Sequence, residues 1–252
     1  MKKICNKYYL SVEGETEKWY FEHLQKLINN KEELPCTVKL YIKINKSIKS
    51  RAKAIPAPFK IKAFHICDYE SNSDVHTKQF ENVLKELKEV KKINKNINYK
   101  LGYSNFSFDL WIILHKKQQK GSVSHRKNYI TGINEAYNEK FKFIDDYKEE
   151  DNFKMILSKI SLEDVIYAIS NGNEIREMNE KNSKDKYKKY GQFGYYTDNP
   201  DMTINECVEQ ILKECGAILI KKIKTFTNLC KHYMMLLGGA SLNGRCKIKQ
   251  YC

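Results

Sequence analysis

Val12-Glu13-Gly14-Glu15-Thr16-Glu17 follows the apolar run Tyr8-Tyr9-Leu10 and opens the helix-like segment Lys18-Trp19-Tyr20-Phe21-Glu22-His23-Leu24. The stretch puts a carboxylate, Glu13, where a strand ends and a helix begins. Further along, Phe64-His65-Ile66-Cys67 reads as a short buried strand that runs straight into Asp68-Tyr69-Glu70. Residues two apart in an extended chain point the same way, so Asp68 and Glu70 are expected to share one small cation site with Glu13.

Working outward from these two segments, the first part of the chain alternates. Tyr8 to Glu13 suits a strand and Thr16 to Asn29 a helix, with Trp19, Leu24, Leu27 and Ile28 for its buried side. Val38, Leu40, Ile42 and Ile44 alternate within a half-exposed strand from Thr37 to Ile44. Ser47 to Phe59 reads as a basic connection, since Pro56 and Pro58 forbid helix continuation. Lys62 to Asp68 is then the central strand. Asp74 to Lys92 is a helix capped at Asp74, with Phe80, Val83, Leu84, Leu87 and Val90 at helical spacing, and Tyr99 to Tyr103 is a further strand. Strand–helix alternation of this kind implies an α/β fold with a mainly parallel sheet flanked by helices.

After Ser104 the pattern becomes helix upon helix, over Phe108 to Lys116, Asn128 to Glu139, Leu162 to Glu180 and from Thr203 onward, with Lys181 to Asp201 as a loop. The expected organisation is an α/β domain over residues 1–145 and a helical C-terminal region over 146–252 packed on it, joined around Asp145 to Asp151. Leu219, Ile223, Phe226, Cys230, Tyr233 and Leu237 recur near heptad spacing, so the tail is expected to pack as a helix on the domain or on a second copy.

Composition bounds the function. A chain of 252 residues with 41% hydrophobic and 12% aromatic content has enough apolar surface to fold around a core. Forty-five Lys and Arg against 31 Asp and Glu leave a formal charge of +14, which favours acidic partners. No acidic residue interrupts the run of basic residues from Lys39 to Lys62. Lys46, Lys49, Arg51, Lys53, Arg126 and Lys127 are the candidate contacts to nucleic-acid phosphates, against the plainer reading of lysines solvated at the surface. Eight cysteines form no Cys-x-x-Cys pair, so free cytosolic thiols are expected rather than disulfides or zinc. The first residues lack the apolar core of a signal peptide, and no run approaches the ~20 apolar residues of a membrane span, so a cytoplasmic protein with no membrane partner is expected.

The strand–Glu-Gly–helix unit and the strand ending in Asp-x-Glu resemble the motif pair of the TOPRIM fold, known from topoisomerases, primases and several nuclease families. Ser104-Asn105-Phe106-Ser107-Phe108-Asp109-Leu110-Trp111-Ile112-Ile113-Leu114-His115 is similar to the Ser-Asn-Pro-x-Phe-Glu-x-Trp-Leu-Leu-Leu-His signature of the RloB-like proteins, grouped with abortive-infection factors. With the late Asn199-Pro200-Asp201-Met202-Thr203 element, the resemblance covers Tyr8 to roughly Leu212. Asp109 stands where that family usually has Glu, Glu70 where it has Asp, and Phe106 where it has Pro.

What the resemblance implies is a metal-dependent nuclease of TOPRIM-like fold in bacterial anti-phage defence, acting on RNA, including tRNA, in preference to DNA. Mg²⁺ or Mn²⁺ would be held by Glu13, Asp68 and Glu70. Two readings stand for Glu17: a second-ion ligand or base, or an ordinary first-turn glutamate favoured by the helix dipole. Asp109 and His115 are catalytic candidates on the same ground, with His115 as proton donor or phosphate contact, or else a satisfied core residue. A homo-oligomer or a defence-system partner is expected. The competing class is a non-catalytic nucleic-acid-binding or sensor subunit.

Overall fold

Chain order reverses at the first strand, and this fixes where a site can form. The computed structural model describes residues 3–45 and 47–218. In sequence order, β1 (Ile4–Val12), α1 (Glu15–Asn29), β2 (Cys36–Ile44), α2 (Ile48–Ala54), β3 (Ile61–Asp68), α3 (Asp74–Ile93) and β4 (Ile97–Asn105) make the α/β part. Then come α4 (Asp109–Leu114), α5 (Tyr129–Tyr137), α6 (Ile144–Lys148), α7 (Glu150–Ser158) and α8 (Leu162–Asn182). The hairpin β5 (Tyr187–Tyr190) and β6 (Phe193–Tyr196) follows, then β7 (Asp201–Met202) and α9 (Ile204–Glu214).

The main sheet runs in the order β2-β1-β3-β4-β7. β1 lies parallel to β2 on one side and to β3 on the other, β3 lies parallel to β4, and only β7 is antiparallel. The mostly parallel α/β sheet expected from the alternation, and consistent with a TOPRIM-like fold, is therefore present. Connections leave β1 and β3 in opposite directions, so the crevice beyond their carboxyl ends is the natural ligand position.

Side-chain alternation along the strands sorts the core into two layers. Tyr8, Leu10, Val12, Phe64 and Ile66 pack with α1 and the later helices, including the wholly buried Trp111, Phe153 and Ile211. Ala63, Cys67, Tyr99, Leu101 and Tyr103 on the opposite face pack against Ile48 and Ala52 of α2 and Phe80, Leu84, Leu87 and Val90 of α3. On α1 the buried set is Tyr20, Phe21, Leu24 and Ile28, while Trp19 and Leu27 are only partly covered.

Four expectations change. The basic connection from Ser47 contains a helix, α2, capped by the Ser47 hydroxyl accepting from the Ser50 N–H at 3.3 Å. Ser73 rather than Asp74 caps α3, accepting from the His76 N–H. The segment from Lys181 to Asp201 is no plain loop but carries the β5–β6 hairpin. The boundary at 145/146 also fails to separate two units, because α6 spans it, β7 returns the chain to the sheet, and one apolar cluster joins residues from Tyr8 to Ala217. Among the described residues no helix is long and apolar enough to cross a membrane, and Cys5, Cys36, Cys67, Cys207 and Cys215 are free thiols. The heptad-like tail beyond Ile218, and Lys46, lie outside the described residues.

Candidate functional site

Glu13 leaves the end of β1 and Asp68 is the last residue of β3, the two strands that flank the reversal point. Glu13 Oε2 accepts the Asp68 backbone N–H at 3.1 Å, which ties the two strand ends together. Gly14 follows with φ −143, ordinary extended backbone. Glycine leaves room there: a Cβ would sit 3.0 Å from Glu17 Oε2, so the tip of that side chain would have to shift. Glu17, in the first turn of α1, thereby folds back and is only 5% exposed, with Thr16 Oγ1 donating to its Oε2 at 3.1 Å.

Asp109 enters from the start of α4 and is 1% exposed. Its Oδ2 accepts from Ser107 Oγ at 2.7 Å and pairs with Lys148 Nζ at 3.0 Å, whereas its Oδ1 is buried with no hydrogen-bond partner. The turn that delivers Asp109 is braced from behind. Tyr129 Oη donates to the Asn105 carbonyl at 2.9 Å and accepts the Phe106 N–H, and Asn105 Nδ2 donates to the carbonyls of Tyr196, Thr197 and Asp198. In the similarity signature, then, Asn105 anchors the backbone and Asp109 carries the charge.

Electrostatics bind these groups into one unit. Burial pushes the Asp68 carboxyl well above the usual carboxylate range, the charges of Glu17, Glu13 and Asp109 push it further, and Lys148 opposes them. Burial likewise raises Glu17, offset by its hydrogen bonds and by Lys148. Burial alone would lower Lys148, but Asp109 and Asp68 outweigh it and leave its pKa raised, so the ammonium stays charged. Among the described residues Lys148 is the cation set against Asp109, Asp68 and Glu17, buried carboxyls whose charge is costly unless something neutralises it.

Hard oxygen donors around an unsatisfied buried oxygen fit the chemistry of a small divalent cation such as Mg²⁺ or Mn²⁺. Glu13, Glu17, Asp68 and Asp109 are the residues that could hold it. Among the described residues, however, no three His, Cys, Asp or Glu side chains already stand close enough together to form a finished metal shell.

Two candidates fall elsewhere. Glu70 does not join Asp68, because β3 ends at Asp68 and the strand alternation that would have aligned them stops there. Its carboxylate pairs instead with Arg126 Nη1 at 3.2 Å and His76 Nε2 at 3.4 Å, lining a cavity of about 240 Å³ with Phe106, Ser124 and His125. His115 is fully buried: Nδ1 bonds to the Trp111 carbonyl at 2.8 Å, and Nε2 meets Tyr20 Oη at 3.1 Å. Burial lowers its pKa to about 4, which makes it a neutral core residue rather than a proton donor.

The basic candidates also divide. Arg51 is buried, its Nη2 donating to the Tyr41 carbonyl, so it braces β2 and is unavailable to a ligand. Lys49 is paired with Glu89. Lys53, Arg126 and Lys127 are exposed. Lys148 was missed by sequence reasoning, since Asp145-Asp146-Tyr147-Lys148-Glu149-Glu150-Asp151 reads as solvated surface. The one clue was the aromatic Tyr147 within that run, which proves wholly buried.

In comparison with known proteins, the family model described as RloB-like protein matches residues 8–211. No curated protein and no solved structure gives a match.

Proposed function

The chain belongs to the RloB-like protein family, and on that premise we propose that it is a metal-dependent nuclease that hydrolyses RNA phosphodiester bonds, with tRNA as the first substrate to test, in defence against phage. The observation that carries the reading is Asp109 Oδ1, a buried carboxylate oxygen without a partner inside a cluster of four carboxylates at the sheet's reversal point. A divalent cation in this cluster supplies Lewis-acid polarisation of the phosphate and a lowered pKa for the attacking water.

The protein's own groups divide the remaining work. Glu13 and Asp68 come from rigid strand ends, locked by the 3.1 Å bond between them, and supply fixed oxygens. Asp109 adds charge from the start of α4. Glu17, whose pKa burial raises, is suited to accept a proton from water and return it, because a carboxylate becomes a stronger base as its pKa rises. Arg126 and Lys127 are exposed beside the Glu70 cavity and can carry the flanking phosphates. The preference for RNA rests on the resemblance alone.

The test incubates labelled tRNA, single-stranded RNA, single-stranded DNA and duplex DNA with the protein in Mg²⁺, Mn²⁺ or EDTA. Cleavage of tRNA that needs metal and drops below detection in Glu13→Gln and Asp68→Asn is expected. The second reading is a non-catalytic nucleic-acid-binding subunit of a defence complex; among the described residues no three His, Cys, Asp or Glu side chains form a group that could hold a metal ion. Binding of RNA by wild type and both variants alike, with no cutting in either metal, would establish that reading instead.

A further inference from the structure

We propose that Lys148 is a built-in competitor for the cation position: its ammonium stands beside Asp109 until a divalent ion displaces it, and so sets the ion concentration at which the site fills. The inference rests on the metal-site reading above and adds a control to it.

Geometry separates what can move from what cannot. Tyr147 is wholly buried, its ring centroid 5.9 Å from that of Phe141 and 5.4 Å from that of Phe153, which pins the backbone of α6. Asp146 Oδ2 accepts the Phe143 N–H at 3.1 Å, and Asn152 Nδ2 donates to the Asp146 carbonyl at 2.7 Å, holding the short helix at both ends. The Lys148 side chain itself is 34% exposed, while that of Asp109 is 2% exposed. The ammonium therefore reaches in from the solvent side on a flexible four-carbon stem and can withdraw without α6 moving.

Chemistry supplies the reason to withdraw. A lysine is a point charge that satisfies one oxygen of Asp109 and leaves the other bare, whereas a small divalent ion can gather oxygens from several carboxylates. Two cations in one small, poorly solvated shell repel strongly, so ion entry and the Lys148–Asp109 pair exclude each other. Burial and the neighbouring Asp68 and Glu17 carboxyls make a bare Asp109 costly, and Lys148 offsets that cost until the ion arrives. An ordinary structural ion pair would predict the reverse, since its removal would loosen the cluster and weaken ion binding.

The experiment titrates Mn²⁺ into the full-length protein, followed by electron paramagnetic resonance, for wild type, Lys148→Met, Lys148→Arg and Asp68→Asn. Lys148→Met is expected to bind Mn²⁺ about fivefold more tightly or better, Lys148→Arg to stay within about twofold of wild type, and Asp68→Asn to lose binding. Unchanged or weaker binding in Lys148→Met, with binding still lost in Asp68→Asn, overturns the competitor role and leaves the metal site standing. No binding in wild type and Lys148→Met alike overturns both. A second readout needs no variant: acylation of Lys148 by an amine reagent, measured by mass spectrometry, should rise severalfold when Mn²⁺ is added, and constant reactivity counts against displacement.

Discussion

Asp201 and Asp109 are both buried aspartates within a few residues of Asn105 in space or sequence, yet they are treated in opposite ways. Asp201 pairs in register with Asn105 across the β4–β7 ladder. Its Oδ2 accepts from Arg176 Nη1 at 2.9 Å and from the Tyr196 N–H at 3.3 Å, and its Oδ1 from Asn179 Nδ2 at 3.2 Å. Burial pushes this carboxyl up, the N–H groups of Tyr196 and Met202 pull it back down, and Arg176 Nη1 stands 2.9 Å from it. Asp109 has one serine hydroxyl, one half-buried lysine and a bare oxygen. The first carboxylate is saturated with partners and the second is left short of them.

The largest effect should come from breaking the saturated side. Arg176→Met strands the Asp201 charge and should cost about 3–5 kcal/mol in chemical denaturation while leaving Mn²⁺ affinity unchanged. A loss below ~1 kcal/mol would mean that Asp201 is not sustained by its arginine, and the contrast would collapse.

The core histidines sharpen the same contrast through pH. His65 and His115 are fully buried, and burial lowers each pKa to about 4. The unfolded chain binds protons more tightly than the fold does between about 4 and 6.5, so stability rises with pH there. Their contribution, up to about 3 kcal/mol each, is full above pH ~6.5 and fades as pH falls toward 4. Asp68 and Glu17 work in the other direction. Their folded pKa values are raised, so the fold holds protons that the unfolded chain releases, and stability drops as pH climbs above the ordinary carboxylate range. Thermal melts in EDTA across pH 4 to 8 should therefore show an acid-side rise that Asp68→Asn leaves intact and a neutral-side decline that it flattens.

Asp68→Asn should accordingly raise stability in EDTA at pH 7 by about 1 kcal/mol, the opposite sign to Arg176→Met. A destabilised Asp68→Asn would show that the cluster is structural after all. The smallest effect belongs to Gly14→Ala. Its added Cβ must displace the Glu17 carboxylate from a 3.0 Å approach, for a stability change within about 0.5 kcal/mol, and the shift should appear in Mn²⁺ affinity rather than in the melt.

Legibility in the sequence followed the same line. Strands from Tyr8, Thr37 and Lys62 and the helices from Thr16, Asp74 and Leu162 were readable because alternation and helical spacing record which face is buried. The strand-end positions of Glu13 and Asp68 were readable because each acidic residue directly follows an apolar, strand-like run, Tyr8 to Val12 and Phe64 to Cys67. Glu70 was misjudged because the extended geometry assumed for Asp68-Tyr69-Glu70 ends one residue too early. His115 carried the right motif, but its environment depends on Tyr20 and Trp111, which no local pattern supplies. Lys148 left only the signal of the aromatic Tyr147 beside it, since its partners lie on three other elements and its other neighbours in sequence are charged like any exposed turn.

The two-residue strand β7 carries a burden out of proportion to its length. Ser104 and Asn105 have no outer neighbour until Met202 and Asp201 pair with them, and the Tyr103 carbonyl likewise waits for the Thr203 N–H at 2.9 Å. During synthesis the nascent chain thus emerges with the outer margin of β4 bare, and it stays bare while all of α4 to α8 is being made. A ribosome that stalls in that interval releases a polypeptide with an open hydrogen-bonding edge, ready to recruit strands from other molecules. Truncation products ending before Asp201 should collect in the insoluble fraction, while those ending after Glu214 should not.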